Sequence, residues 1–370
     1  MADKRTYSRR EVLAIMAGLG LTGFLGACGG SEQAQDQGSE QAQGDQAVGT
    51  DANEAQVEDV NVRVAALKGP TAIGLVQMMD TTSGIPAEGA SEAATEVAEG
   101  SGITYSYSIS GAPDEVLPLV ISGDVDIALV PSNAAAVLYN KTKGGVRVID
   151  VNTLGVLSVV TGDASIQAFE DLAGRTVYMS GQGASPEYTL NYLLEEAGIK
   201  DQVSVEWKSE HAEVASVLAA DPTAVGVLPE PFTTATLAQN ESLSAPIVLA
   251  DVWDKYAGAT GSKYVMGVTV ARTEFVDEHP AALEDFLARH AESVQYTADD
   301  VDGAAALVVE AGIVAKEPIA KKAIPKCNVV CLTGEEMKDA LSGYLQVLFD
   351  ADASSVGGAL PEDDFYYLGA

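Results

Sequence analysis

Val60-Asn61-Val62-Arg63-Val64-Ala65-Ala66-Leu67-Lys68-Gly69-Pro70-Thr71 begins as a β-strand and breaks at a glycine–proline turn. Val62–Leu67 alternates and is β-branched, as a pleated, half-buried element requires. Lys68-Gly69-Pro70-Thr71 ends the strand, and Ala72 to Asp80 reads as a helix started by Pro70 or Thr71. The same unit recurs downstream. Ile103–Ile109 alternates strictly, Ala112-Pro113-Asp114-Glu115 opens a helix through Ile121, and Val125–Val130 is an apolar strand. Pro131-Ser132-Asn133 then leads into a helix from Ala134 to Tyr139. Strand and helix alternating with short links specify an α/β fold with a parallel sheet and right-handed crossovers.

The rhythm then restarts. Strands are expected at 146–149, 156–160, 176–179, 203–206, 224–228, 247–249 and 264–271, with helices at 186–197, 211–219 and 232–238. From Phe275 the pattern is mainly helical, with segments at 279–296, 301–310, 319–323 and 335–351. The chain therefore divides into two α/β lobes and a helical C-terminal part.

Upstream of Val60 the composition changes. Met1–Arg10 carries Lys4, Arg5, Arg9 and Arg10, and Val12–Leu25 is an apolar run too short to span a bilayer as a helix. Together they read as an export signal. Leu25-Gly26-Ala27-Cys28 resembles a bacterial lipobox, whose cysteine takes a lipid, and Ser8-Arg9-Arg10-Glu11-Val12-Leu13 resembles a twin-arginine export motif. Residues 1–27 are thus expected to be a lipoprotein signal peptide, Cys28 the lipidated residue, and residues 28–58 a polar, disordered tether. Localisation follows: exported, at the cell surface or periplasmic face, touching the membrane only through the lipid.

The net charge of −33 argues against nucleic acid and anionic membrane surfaces as partners. An anionic ligand would need a local site able to overcome that field. Apart from Cys28 there are only Cys327 and Cys331; a disulfide between them and two reduced, packed thiols are equally compatible with the spacing. His211, His279 and His290 lie in polar helical contexts without ligand-spaced partners, so they are expected at the surface, with no metal site and no cofactor.

In open parallel sheets, ligands bind beyond the carboxyl ends of the strands, where helix N-termini present free N–H groups. Four strand-to-helix turns share that character: Lys68-Gly69-Pro70-Thr71, Pro131-Ser132-Asn133, Gly181-Gln182-Gly183-Ala184-Ser185 and Leu228-Pro229-Glu230-Pro231. The third imitates a dinucleotide fingerprint, with Glu206 in the acid's place, but Pro186 stands where the third glycine belongs.

The residues that carry a family resemblance are Ala65–Thr71, Gly123–Ala128 with Pro131-Ser132-Asn133, Phe169–Val177, and Leu228-Pro229-Glu230-Pro231-Phe232. Their order and spacing, from about Val60 to Tyr367, resemble solute-binding proteins of ABC importers, of the nitrate/sulfonate/taurine/thiamine-precursor group. The resemblance implies a type II periplasmic-binding fold, two lobes joined by a two-segment hinge. Lobe 1 would comprise 59–152 plus 269–370, and lobe 2 153–268. It further implies ligand contacts from Lys68, Gly69, Pro70, Thr71, Ser132 and Asn133 in lobe 1, from Asn152 and Thr153 at the hinge, and from Gln182, Gly183, Ala184, Ser185 and Glu230 in lobe 2. Ser110 is a lesser candidate.

The implied function is capture of a small molecule, an anion or a small heterocycle, by hinge closure, and its delivery to ABC permease subunits by a monomeric, non-enzymatic receptor. Two alternatives share the fold: an enzyme of the pyrimidine or menaquinone-precursor type, and a ligand sensor without transport.

Overall fold

A computed structural model describes residues 59–80, the backbone of 93–96, residues 102–258 and residues 261–369. The signal peptide, Cys28 and the tether lie outside the described residues. Among those described, no helix is long and apolar enough to cross a membrane.

Twelve strands are described: β1 (Val60–Leu67), β2 (Ala93–Glu96), β3 (Ile103–Ser110), β4 (Ile127–Pro131), β5 (Val146–Leu154), β6 (Leu157–Thr161), β7 (Thr176–Ser180), β8 (Ser204–Lys208), β9 (Val225–Pro229), β10 (Ser244–Val248), β11 (Val265–Arg272) and β12 (Val329–Leu332). They form a seven-stranded sheet, order β12-β5-β11-β4-β1-β3-β2, and a five-stranded sheet, order β10-β6-β9-β7-β8. Each sheet has the same plan. Three parallel strands (β3-β1-β4 and β8-β7-β9) are followed by one antiparallel strand that arrives from the other sheet, β11 in the first and β6 in the second. This doubled exchange is the type II periplasmic-binding topology, as the sequence implied.

Local chemistry explains the elements. β1 is paired along both edges, by β3 and β4, and both its faces are buried, so Val64-Ala65-Ala66-Leu67 runs apolar without interruption. Arg63 interrupts that run and is held by Asp126 (Nε to Oδ2, 2.9 Å). The helix Pro113–Ser122 has proline at its start and ends at Gly123, whose φ of 78° is the left-handed cap that glycine adopts most easily.

The elements not read from the sequence include β2, β12 and the helices Leu249–Tyr256 and Thr273–Glu278. β5 also extends through Asp150, Asn152 and Thr153, where polarity suggested a break. These side chains are buried but satisfied. Thr269 Oγ1 donates to Asp150 Oδ1 (2.7 Å), Asn152 Nδ2 donates to Thr269 Oγ1 (3.1 Å), and Thr153 Oγ1 donates to Asn152 Oδ1 (2.9 Å). A polar ladder with every member partnered can lie inside a sheet.

The chain passes between the sheets at Gly155-Val156, linking β5 to β6, and returns through the segment preceding β11. The C-terminal helix Gly334–Ala351 packs against both β5 and the helix Ser185–Glu196 of the second lobe. Tyr344 and Thr189 share a buried hydrogen bond of 3.1 Å across that contact. Around it gather Tyr192, Trp253, Tyr264 and Tyr344, with ring centroids 5.0–6.0 Å apart. Trp253 and Tyr264 are therefore buried packing residues behind the crossing.

Candidate functional site

Strand register places the candidate residues. In the first sheet, Leu67 is level with Ser110, Pro131 with Gly267, and Gly267 with Thr153. Ser110, the Lys68 turn, Pro131 and Thr153 thus lie along one rim, and Lys68 N–H donates to Ser110 O (2.9 Å) across it. In the second sheet, Ser180 is level with Lys208 and Pro229 with Leu157. β5 ends at the first rim and β6 begins at the second, so Gly155-Val156 joins the two. The carboxyl ends of the parallel strands therefore flank the crossing, the edge at which open α/β sheets bind ligands.

On the first rim, Gly69 has φ 140°, a conformation that favours glycine, and Thr71 Oγ1 donates to Leu67 O (3.0 Å). Thr71, Asn152 and Thr153 converge on Gly267. A Cβ there would lie 2.5 Å from Asn152 Oδ1, 2.5 Å from Thr71 Cγ2 and 3.3 Å from Thr153 Cβ. Lys68 is exposed and Pro70 half-buried. Ser132 and Asn133 sit at the start of the helix Ser132–Thr142, but both side chains have protein partners. Ser132 Oγ donates to Val265 O (2.7 Å), and Asn133 Nδ2 donates to Ser355 O (3.4 Å).

On the second rim, Gln182, Gly183 and Ala184 are exposed and Ser185 is half-buried. Gly181 (φ 93°) and Gly183 (φ 74°) shape the turn. The Gly183 N–H donates to Glu187 Oε2 (2.6 Å), so the carboxylate of the turn's own helix occupies a donor that an anion would use. Glu230 is 3 % exposed, and its Oε2 accepts from the Thr234 N–H (3.2 Å). Burial raises its carboxyl above the ordinary carboxylate range; the Thr234 hydrogen bonds and the nearby Lys326 oppose that shift without cancelling it. An acid whose folded pKa is raised contributes fully to stability below its unfolded value and loses that contribution as pH rises through the folded one. Glu230→Gln should therefore raise the melting temperature of ligand-free protein at neutral pH by roughly a few degrees, and the gain should vanish in acid. Calorimetry across pH 3–8 checks this.

Three second-rim residues escaped sequence reading. Lys208 closes β8, is held by Glu206 (2.6 Å), and lies 5.2 Å from the centroid of the Tyr178 ring. Ser180 Oγ and His211 Nδ1 are 2.6 Å apart, and burial lowers the His211 pKa. Reading β8 as ending at Glu206 hid the position of Lys208, and Ser180 looked like ordinary turn chemistry.

The surface expectation for the histidines is corrected at His290, which is fully buried with Nδ1 3.0 Å from Asp150 Oδ2. Its helix Pro280–Asp299 turns that face onto β5, and a buried carboxylate offsets the desolvation of the ring. Cys327 and Cys331 are free thiols, Cys327 buried and Cys331 partly exposed.

A family model described as the periplasmic phosphonate substrate-binding protein of ABC transporters matches residues 81–308. The chain belongs to this family. Its members are periplasmic substrate-binding proteins of ABC transporters. No curated relative matches the chain. Solved structures share its fold. An ABC transporter protein of Parabacteroides distasonis superposes with TM-score 0.68 at 22 % identity, covering 84 % of this chain and 99 % of its own. The aliphatic sulphonate binding protein SsuA of Escherichia coli gives 0.61 at 14 % identity, covering 82 % and 92 %. A sulfonate-binding SsuA of Methylobacillus flagellatus gives 0.55 at 15 % identity, covering 81 % and 88 %. Family membership fits the two-rim geometry, in which both sets of strand ends flank one crossing.

Proposed function

We propose that this substrate-binding protein is a lipid-anchored, monomeric receptor that captures a small phosphonate- or sulfonate-class oxyanion between its lobes and delivers it to an ABC permease. The single observation carrying this reading is the pairing of two strand-end rims across Gly155-Val156, each with a lysine, Lys68 on one and Lys208 on the other. In a chain of net charge −33, local cations and helix N–H groups are what hold an oxyanion. The two lobes, one on each sheet, would close as two bodies about Gly155-Val156 and the segment preceding β11, the ligand touching both only in the closed state. Thr71 lines the hinge side, backed by the buried Asn152 and Thr153, and the 182–185 turn supplies N–H donors once Glu187 swings away. Glu230 faces a ligand ammonium where the oxyanion carries one. Cys28 and the 28–58 tether keep the receptor beside its permease after export by the twin-arginine route.

The test is mass spectrometry of solute released when the purified protein is denatured. A solute bearing a phosphonate or sulfonate group is the expected result. A neutral or purely cationic solute would overturn the ligand class while leaving the family intact.

A further inference from the structure

Behind the cleft lies a second group of side chains that the transport reading does not use. One carboxylate oxygen of Asp150, one ring nitrogen of His290 and Cys331 Sγ all lie within 4.8 Å of one another. They come from β5, the helix Pro280–Asp299 and β12, so only the fold brings them together. From these three we infer a binding site for a zinc-class divalent cation, formed by Asp150, His290 and Cys331.

Three observations support it. The first is geometric. Three atoms no more than 4.8 Å apart admit a centre within about 2.8 Å of each, and zinc bonds to such atoms at about 2.0–2.3 Å, so small rotamer shifts complete the contacts. The second is orientation. Thr269 Oγ1 holds Asp150 Oδ1 at 2.7 Å, which turns Oδ2 toward His290 Nδ1 at 3.0 Å. A hydroxyl fixing a carboxylate from behind is the support that metal-ligating carboxylates receive. The third is the ring's bonding. His290 is fully buried, and Asp150 is its one side-chain hydrogen-bond partner among the described residues, at Nδ1; Nε2 has none. A cation on the Nδ1 side would leave the ring proton on Nε2, so it replaces that single bond without displacing any other.

Access and ligand class follow from the surroundings. Cys331 lines a cavity of about 350 Å³ together with Glu284, Ala291 and Tyr367. Glu284 and Ala291 are exposed, so the cavity opens a path from solvent to Cys331, with Asp150 and His290 fully buried behind it. One sulfur, one nitrogen and one oxygen donor suit a borderline-soft cation and disfavour calcium or magnesium, which take oxygen ligands. A cation there would tie β5, the strand that enters the crossing, to β12 and the helix Pro280–Asp299.

The test is a cobalt(II) titration of the full-length chain, stripped of metal and kept reduced, followed by absorption. One saturating equivalent with a near-ultraviolet thiolate-to-cobalt band is expected, with zinc displacing the cobalt. Cys331→Ser should abolish the band and weaken cobalt binding at least tenfold, while Cys327→Ser leaves both unchanged. Zinc should raise the melting temperature of the wild type but not of Cys331→Ser. Cobalt bound without a thiolate band, no cobalt bound, or a band unchanged in Cys331→Ser would each overturn the site; the last would place the thiolate at Cys28 or Cys327. Failure here leaves the cleft reading untouched, because none of the three residues lies on either rim.

Discussion

Trp253→Ala is expected to destabilise the protein by about 3–5 kcal/mol, the range for removing a large aromatic side chain from a packed core. Trp253 is fully buried, and its ring meets Tyr192 at 5.0 Å, Tyr344 at 5.3 Å and Tyr264 at 6.0 Å. The neighbours cannot collapse into the space. Tyr344 is tied to Thr189, and Tyr264 packs directly over Gly155, where an added Cβ would lie 2.2 Å from the ring. The cluster also bridges the lobes, so the loss should broaden the unfolding transition as the lobes lose cooperativity. Denaturant unfolding followed by tryptophan-independent circular dichroism measures both effects. A cost below about 1 kcal/mol would mean that the cluster is not a shared core.

Gly267→Ala is expected to weaken ligand binding by on the order of a hundredfold, a loss of about 2.7 kcal/mol. The glycine does not need an unusual φ; it is required because its neighbours leave no room. Its Cβ would fall 2.5 Å from both Asn152 Oδ1 and Thr71 Cγ2. Asn152 cannot swing aside freely, since it donates to Thr269 and accepts from Thr153. The methyl therefore displaces Thr71, a proposed ligand contact, together with the buried Asn152 behind it, on the strand that follows the return crossing. Overpacking of this kind also costs roughly 1–3 kcal/mol of stability, so melting must be measured beside binding. Unchanged affinity in a folded Gly267→Ala protein would remove the hinge-side residues from the site.

Much of the architecture was legible because it rests on periodicity. The strand–turn–helix units at 60–80, 103–122 and 125–142 have apolar or strictly alternating runs of strand length and a Pro or Gly at each strand-to-helix turn. Three such units leave few topologies other than a parallel sheet. The elements that stayed hidden are those whose local sequence contradicts their tertiary role. β12 contributes four residues, all half-buried, and holds its place by pairing with β5. The polar end of β5 reads as a loop until Thr269 and His290 supply its partners from more than a hundred residues away.

The strand-end rims of the proposed site were legible in outline and not in detail. Strand-to-helix turns located the first rim, including Lys68 and Thr71, because chain ends of parallel strands follow from the sequence rhythm alone. Lys208 and the Ser180–His211 pair were not found, since only the register between β7 and β8 brings them to the same edge. Ser132 and Asn133 illustrate the converse: their residue types suit ligand binding, yet both side chains already bond to the protein. The Asp150–His290–Cys331 group has no sequence signature, because its members lie on three separate elements.

The most direct measurement is isothermal titration of the folded protein with methylphosphonate, 2-aminoethylphosphonate and ethanesulfonate at low salt. Capture between the rims predicts saturable one-site binding of at least one of these at about micromolar affinity or tighter. Lys208→Ala should weaken that binding at least tenfold, and added salt should weaken it further. No binding of any of the three, or binding that Lys208→Ala and Lys68→Ala both leave unchanged, would contradict an oxyanion held between the two lobes.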